Sequence, residues 1–116
     1  MHMLPMNFPF SSLNSLKVTQ LRVGENELII IFDSEDFVRI EGEVEISSNS
    51  EKIRGVITTM YGVIHNILGL RIRYSTTSNY RDLCIVFENH VTWTLFGVNE
   101  NYECYTISLE GIEYVV

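Results

Sequence analysis

Short apolar runs alternate with polar turns along this chain, and most runs repeat with a period of two. The clearest is Leu83-Cys84-Ile85-Val86-Phe87, followed by Glu88-Asn89 and then residues 90–96. It predicts a β-hairpin. An earlier copy stands at Leu28-Ile29-Ile30-Ile31-Phe32, which passes through Asp33-Ser34 into Phe37-Val38-Arg39-Ile40. Leu and Phe coincide at one offset (83 − 28 = 55), and an acid follows in each copy. This duplication defines architecture, not chemistry.

Residues 1–15 carry Pro5, Pro9 and the Ser11-Ser12 pair, which predict an irregular lead-in with Phe8, Phe10 and Leu13 docking on the core. Residues 17–47 form a first β unit. It holds a half-exposed strand at 17–23, a Gly24-Glu25-Asn26 turn and an apolar strand at 27–32 expected to be buried on both faces. After the charged turn at 33–36 and a return at 37–40, residues 41–47 alternate strictly. Gly42, Val44 and Ile46 share one face, and Glu41, Glu43 and Glu45 the other. On one strand those carboxylates stand about 6.6 Å apart.

The period then changes. Ile53, Val56, Ile57 and Met60 fall at i, i+3, i+4 and i+7, which is one helix face. Ser48 and Glu51 have capping-box spacing and Gly62 is a natural stop, so a helix is expected over about residues 50–61. Gly55 and the Ile57-Thr58-Thr59 run oppose it, and a strand through Val63 and Ile64 is the competitor. Residues 67–116 form a second β unit, with strands at 67–75, 82–87, 91–96, 102–109 and 112–116 and a hairpin turn at Glu110-Gly111. The expected fold class is α+β. It is mainly an antiparallel β meander from a duplicated hairpin, with one helix on the sheet, in a single domain over 1–116.

Composition narrows the function. Eight Lys and Arg face 15 Asp and Glu, for a net charge of −7 and a pI near 4.8. A basic stripe for phosphate backbones is missing, so nucleic acid is not the expected partner. A basic protein partner is. The two cysteines, Cys84 and Cys104, have neither zinc nor CxxC spacing and read as buried free thiols in predicted strands. No run is long enough to span a bilayer, and the first ten residues lack Lys and Arg, so no signal peptide or membrane segment is expected. The expected compartment is the cytoplasm.

Residues 25–51 contain nine acids against Arg39 alone. Glu41, Glu43 and Glu45, with Glu35 and Asp36, are therefore the candidate partner-binding residues, a surface able to steer a basic protein. The same pattern also suits a solvated strand face that blocks edge-to-edge aggregation. Carboxylates spaced along one strand do not converge on one ion, and His2, His65 and His90 have no ligand-spaced companions. No metal or other cofactor is expected. Phosphate loops, nucleophile elbows and His-Glu-x-x-His helices are absent from the sequence, which reads as non-catalytic. Six tyrosines and Trp93 suit either an interface or strand cores.

Leu83-x-Ile85-x-Phe87, then Asn89, and Asn101-Tyr102-Glu103-Cys104-Tyr105-Thr106-Ile107 resemble a pattern of small immunity proteins in bacterial polymorphic-toxin and contact-dependent inhibition systems. The resemblance covers residues 82–108, and 27–46 faintly, and departs at the turn, where Glu88-Asn89 replaces Asp-Gly. It implies a cytoplasmic, non-catalytic protein that binds and neutralises a cognate toxin domain, and it carries over no contact residue. Two alternatives stand beside it. One is a small-molecule-binding module with a pocket lined by Trp93 and Phe96; the other is a homo-oligomer associating through residues 112–116. The oligomeric state is open.

Overall fold

The computed structural model describes residues 2–98 and 103–116. The end of the expected 97–101 loop, the Tyr102 start of the expected 102–109 strand and the Asn101-Tyr102 pair of the resemblance lie outside the described residues. Ten strands are present: β1 (Val18–Val23), β2 (Leu28–Phe32), β3 (Phe37–Ile40), β4 (Glu43–Ser48) and β5 (Glu51–Val56) in the first half, then β6 (Ile72–Thr76), β7 (Leu83–Phe87), β8 (Val91–Leu95), β9 (Tyr105–Leu109) and β10 (Ile112–Val115). They build two antiparallel five-stranded sheets, in the orders β1-β2-β3-β9-β10 (sheet one) and β5-β4-β8-β7-β6 (sheet two).

Among the described residues there is no α-helix, only 3-10 segments of three or four residues. The antiparallel β character expected from sequence is observed; the helix over 50–61 is not. Its residues form β5 and the 3-10 turn Ile57–Thr59. Ser48 and Glu51, spaced like a capping box, are cross-strand partners around Asn49, whose φ is 55°. Of the four residues on the expected helix face, Ile53 and Val56 are exposed, while Ile57 and Met60 are buried. The apparent 3.6 period arose where an edge strand ran into a buried turn. Gly55 and the β-branched run, which disfavour helix, prevailed.

The two halves follow one plan. Each opens with a 3-10 turn (Phe10–Leu13, then Ile64–Ile67), continues as a three-strand meander and ends in a two-strand hairpin. Each hairpin leaves its own meander for the other one: β4 pairs with β8, and β9 with β3. The meanders meet at an antiparallel bridge between Lys17 and Arg71, equivalent residues at an offset of 54 (71 − 17). Around it the hydrogen bonds come in matched pairs. The Val18 amide donates to the Leu70 carbonyl and the Ile72 amide to the Leu16 carbonyl, each at 2.9 Å. Likewise the Gly69 amide reaches Val18 at 2.9 Å, and the Ser15 amide reaches Ile72 at 2.7 Å. Both β1 and β6 carry a register shift at their equivalent first residues, after Val18 and after Ile72. The structure has a pseudo-twofold axis through the Lys17–Arg71 bridge.

The strands β2, β3, β4, β7 and β8 alternate between a buried and a half-buried face, so β2 is not buried on both sides as expected. The inner faces of both sheets feed one core, which includes Phe8 and Leu13 from the lead-in and Trp93, Tyr105, Phe32 and Phe87 among its largest members. Trp93 and Phe87 meet edge to face at 6.4 Å. The chain crosses between sheets at two glycines. After β3, the Glu41 and Gly42 amides both donate to the Cys104 carbonyl, at 2.9 and 3.0 Å. After β8, at the equivalent place (97 − 42 = 55), Gly97 lies so close to Arg81 that a Cβ would collide with its carbonyl oxygen.

That oxygen also accepts the Tyr105 hydroxyl at 2.7 Å. Burial, and after it the charge of Asp82, pushes the Tyr105 phenol far above its ordinary value of 10.0. The unfolded phenol therefore ionises at lower pH than the folded one. Stability from this group is fully present below pH 10.0 and falls as pH rises past it. Chemical unfolding of Tyr105→Phe should show a loss of about 1 kcal/mol at neutral pH and a shallower decline above about pH 10.

The crossings and turns give a second test by urea unfolding. Gly97→Ala should cost about 1–3 kcal/mol or more, since backbone must move. Gly69→Ala should cost roughly 1 kcal/mol, because Gly69 has a φ of 85°. Gly62→Ala, with open space around its added Cβ, should change stability by less than about 1 kcal/mol.

Candidate functional site

Alternation sends every second side chain of sheet one outward, and cross-strand pairing lines these up in two rows. One row reads Arg22, Ile29, Arg39, Thr106 and Val115; the next reads Gln20, Ile31, Phe37, Ser108 and Glu113. Between them runs an open groove of about 490 Å³, lined by Gln20, Arg22, Ile29, Ile31, Glu35, Phe37 and Arg39. Its floor is apolar because β2 carries Ile29 and Ile31 on the outward face as well as Leu28, Ile30 and Phe32 inward.

Carboxylates flank the groove. Arg39 lies 3.7 Å from Glu27 and 3.8 Å from Glu113, with its guanidinium 5.8 Å from the centre of the Phe37 ring. Its Nε is buried without a hydrogen-bond partner, as is Oγ1 of the paired Thr106. Glu35 is exposed on the β2–β3 turn with a φ of 71°. The lining thus carries the two cations Arg22 and Arg39 and the carboxylate of Glu35, while Glu27 and Glu113 at the edge are paired with Arg39.

The equivalent outer face of sheet two differs. Its rows read Tyr74, Val86, Thr92, Ser47 and Lys52, and Thr76, Cys84, Thr94, Glu45 and Arg54. A depression of about 330 Å³ there is lined largely by hydroxyls, with Cys84, Asp82 and Phe96. Asp82 is already engaged by the Gly97 amide at 3.0 Å and the Asn79 side-chain amide at 2.9 Å.

The five carboxylates picked out from sequence do not form one surface. Glu35 and Asp36 belong to sheet one, Glu43 and Glu45 to sheet two, and Glu41 to the crossing between them. The alternation through Glu41 hid a change of sheet, because the chain reverses its neighbours at Gly42 without losing its period. Asp36 is a tie between turns, accepting from the Ser34 hydroxyl at 2.9 Å and the Glu110 amide at 3.0 Å. Glu43 accepts from Arg54 Nε at 2.6 Å, and that bond raises the Arg54 pKa. Arg54 stacks over Phe96 at 3.9 Å and pairs across the strand with Glu45. Much of the row is therefore compensated. Sequence reasoning missed the groove itself. Its signal was the doubled apolar character of Ile29 and Ile31 beside Phe37.

Further expectations are corrected by geometry. Trp93 is fully buried, whereas Phe96 lines the depression on the outer face of sheet two, so among the described residues the two do not share a pocket wall. Cys84 is half-buried on that outer face rather than in the core, and Cys104 is buried as expected. Among the described residues no group of three or more His, Cys, Asp or Glu is placed to hold a metal, and no helix is long and apolar enough to cross a membrane.

No family model, curated protein or solved structure matches this chain.

Asp36 and Glu35, adjacent in sequence, should separate cleanly in urea unfolding. Asp36→Ala removes two acceptors and should cost about 1 kcal/mol, while Glu35→Gln should stay within about 0.5 kcal/mol.

Proposed function

We propose that the chain is a non-catalytic protein-binding domain whose working surface is the outer face of sheet one. The observation that carries this reading is the groove itself, with an apolar floor of Ile29, Ile31 and Phe37, the exposed Glu35 at its turn, and Arg39 held between Glu27 and Glu113. Such a surface accepts a long basic side chain. The floor covers its aliphatic stem and the exposed Glu35 carboxylate meets its charge. The net charge of −7 supports the same polarity of partner, by steering a basic protein towards the domain.

In its specific form the proposal is an immunity protein that binds a cognate bacterial toxin in the cytoplasm and occludes the toxin's working surface. The resemblance over residues 82–108 supports that form. It places the scaffold, not the contacts, in the repeated hairpin, which is consistent with a binding face elsewhere.

The test is a binding titration against a toxin domain encoded beside the chain's own gene, with protection of cells that express the toxin as the second readout. Phe37→Ala and Glu35→Lys should each weaken binding about tenfold or more, the scale of an interface hot spot. Glu35→Lys should also flatten the salt dependence. Charge reversal at Glu45 should do less, because Arg54 already faces it. Unchanged affinity in both groove variants, with the fold intact, would sink this surface. Failure to protect cells would sink the immunity form.

A further inference from the structure

The interlocking of the two halves carries a consequence for self-association. Residues 10–56 and 64–116 run through the same sequence of elements: 3-10 turn, three-strand meander, two-strand hairpin. Neither half completes a five-stranded sheet alone, since sheet one takes β9 and β10 from the second half, and sheet two takes β4 and β5 from the first. The exchange is reciprocal in register. Ile40 faces Tyr105 where β3 meets β9, and Leu95 faces Val44 at the equivalent place where β8 meets β4. This is the arrangement of a domain-swapped homodimer, here contained in one chain.

The covalent connection between the halves is short and not part of either sheet. Only residues 57–63 lie between β5 and the 3-10 turn Ile64–Ile67; Ile57 and Met60 of this link are buried, and Tyr61 donates to the Gly24 and Glu27 carbonyls. Gly62 in that link is exposed, and nothing lies within 4 Å of where its Cβ would be. By contrast, the halves share two strand–strand seams, the Lys17–Arg71 bridge with its matched hydrogen bonds, and one core. Every one of those contacts is indifferent to whether the two halves belong to one chain.

We infer that the halves are two copies of one interlocking module, and that a second copy of this chain can supply the half that the same chain normally supplies. The monomer is the closed form, favoured by the high effective concentration of a half tethered by a short link. The exchanged dimer keeps every sheet contact and re-routes the chain within residues 57–63, between the buried Met60 and the exposed Gly62.

Two experiments on the full-length protein test this. In the first, a protease site is inserted after Gly62 and the folded protein is cut. The two fragments should co-elute at the size of the intact monomer. After unfolding and refolding together, their unfolding midpoint should rise with protein concentration, as a bimolecular complex requires. Fragments that separate or aggregate on cutting would overturn the inference.

The second uses the uncut double variant Lys17→Cys with Arg71→Cys, whose Cα atoms, as bridge partners, lie within disulfide reach. Refolded at increasing concentration and then oxidised, it should give a rising fraction of disulfide-linked dimer on a non-reducing denaturing gel. The parent chain, with Cys84 and Cys104 in place, is the control. A cross-link that stays within one chain at every concentration would rule out exchange between copies.

Discussion

The antiparallel contact between residues 15–18 and 69–72 is the constraint on which the rest of the structure depends. It joins β1 of one sheet to β6 of the other mainly through backbone hydrogen bonds, with equivalent residues facing each other across an axis and the Arg71 guanidinium donating to the Ser15 carbonyl at 2.9 Å. Each hydrogen bond there contributes only about 1 kcal/mol net. Their geometric effect is larger. Once two meanders are fixed about a twofold axis, the ends of β3 and β8 are fixed with respect to the opposite sheet. The hairpins that follow then have one place to go. Carboxylates lock the same junction: Asp33 accepts from the Lys17 amide at 3.1 Å, and Glu88 from the Arg71 amide at 2.7 Å. The acid that follows each copy of the repeated hairpin thus has a structural task.

The exchange of hairpins is then driven by burial. Tyr105 stands on β9 opposite Ile40, and Trp93 on β8 opposite Ile46, so both seams between halves carry a large, almost fully buried aromatic. Burying one such side chain is worth about 1.5–3 kcal/mol, and here the stabilisation accrues only when the other half is present. Gly42 and Gly97 are the hinges that let the strands leave one sheet for the other. At Gly42 a Cβ would press on Cys104 at 3.3 Å, and at Gly97 the clash is with backbone.

Much of this was legible in the sequence, but not all in the same way. The Leu-to-Phe runs at 28–32 and 83–87 marked β2 and β7 without ambiguity, because inner-face positions of a central strand tolerate little but branched and aromatic residues. The lead-in repeat was also visible. Leu13-Asn14-Ser15-Leu16-Lys17-Val18 parallels Ile67-Leu68-Gly69-Leu70-Arg71-Ile72, but at an offset of 54, one short of the hairpin offset, so it escapes a search at 55. The hairpin β4–β5 was hidden more deeply. Its second strand is an exposed edge with the pattern Glu51-Lys52-Ile53-Arg54-Gly55-Val56, and edge strands lack the period-two burial by which strands are recognised. Its counterpart Ile46-Ser47 does match Ile107-Ser108, at an offset of 61 (107 − 46). The carboxylate row is divided between sheets for a related reason. Period alone does not show that a chain changes sheets, nor that a cation on the next strand neutralises it.

Duplication also explains why the two outer faces are where chemistry has diverged. Inner positions of the halves remain alike, as Phe32 with Phe87, Ile30 with Ile85 and Leu28 with Leu83. Their partners outside do not: Ile29 stands against Cys84, Arg39 against Thr94, and Phe37 against Thr92. A shared core holds both halves to one inner pattern, since any change of volume there is felt across the axis. The outer face is under no such restraint, so one copy can carry a groove while the other carries hydroxyls. A cost remains on the grooved side. Arg39 Nε and Thr106 Oγ1, on paired residues, are buried without hydrogen-bond partners, and an unsatisfied buried polar group costs about 1–3 kcal/mol, less for Nε, which has Glu27 at 3.7 Å. On the equivalent face of sheet two, Thr94 and Glu45 occupy the same positions, and neither has a buried orphan.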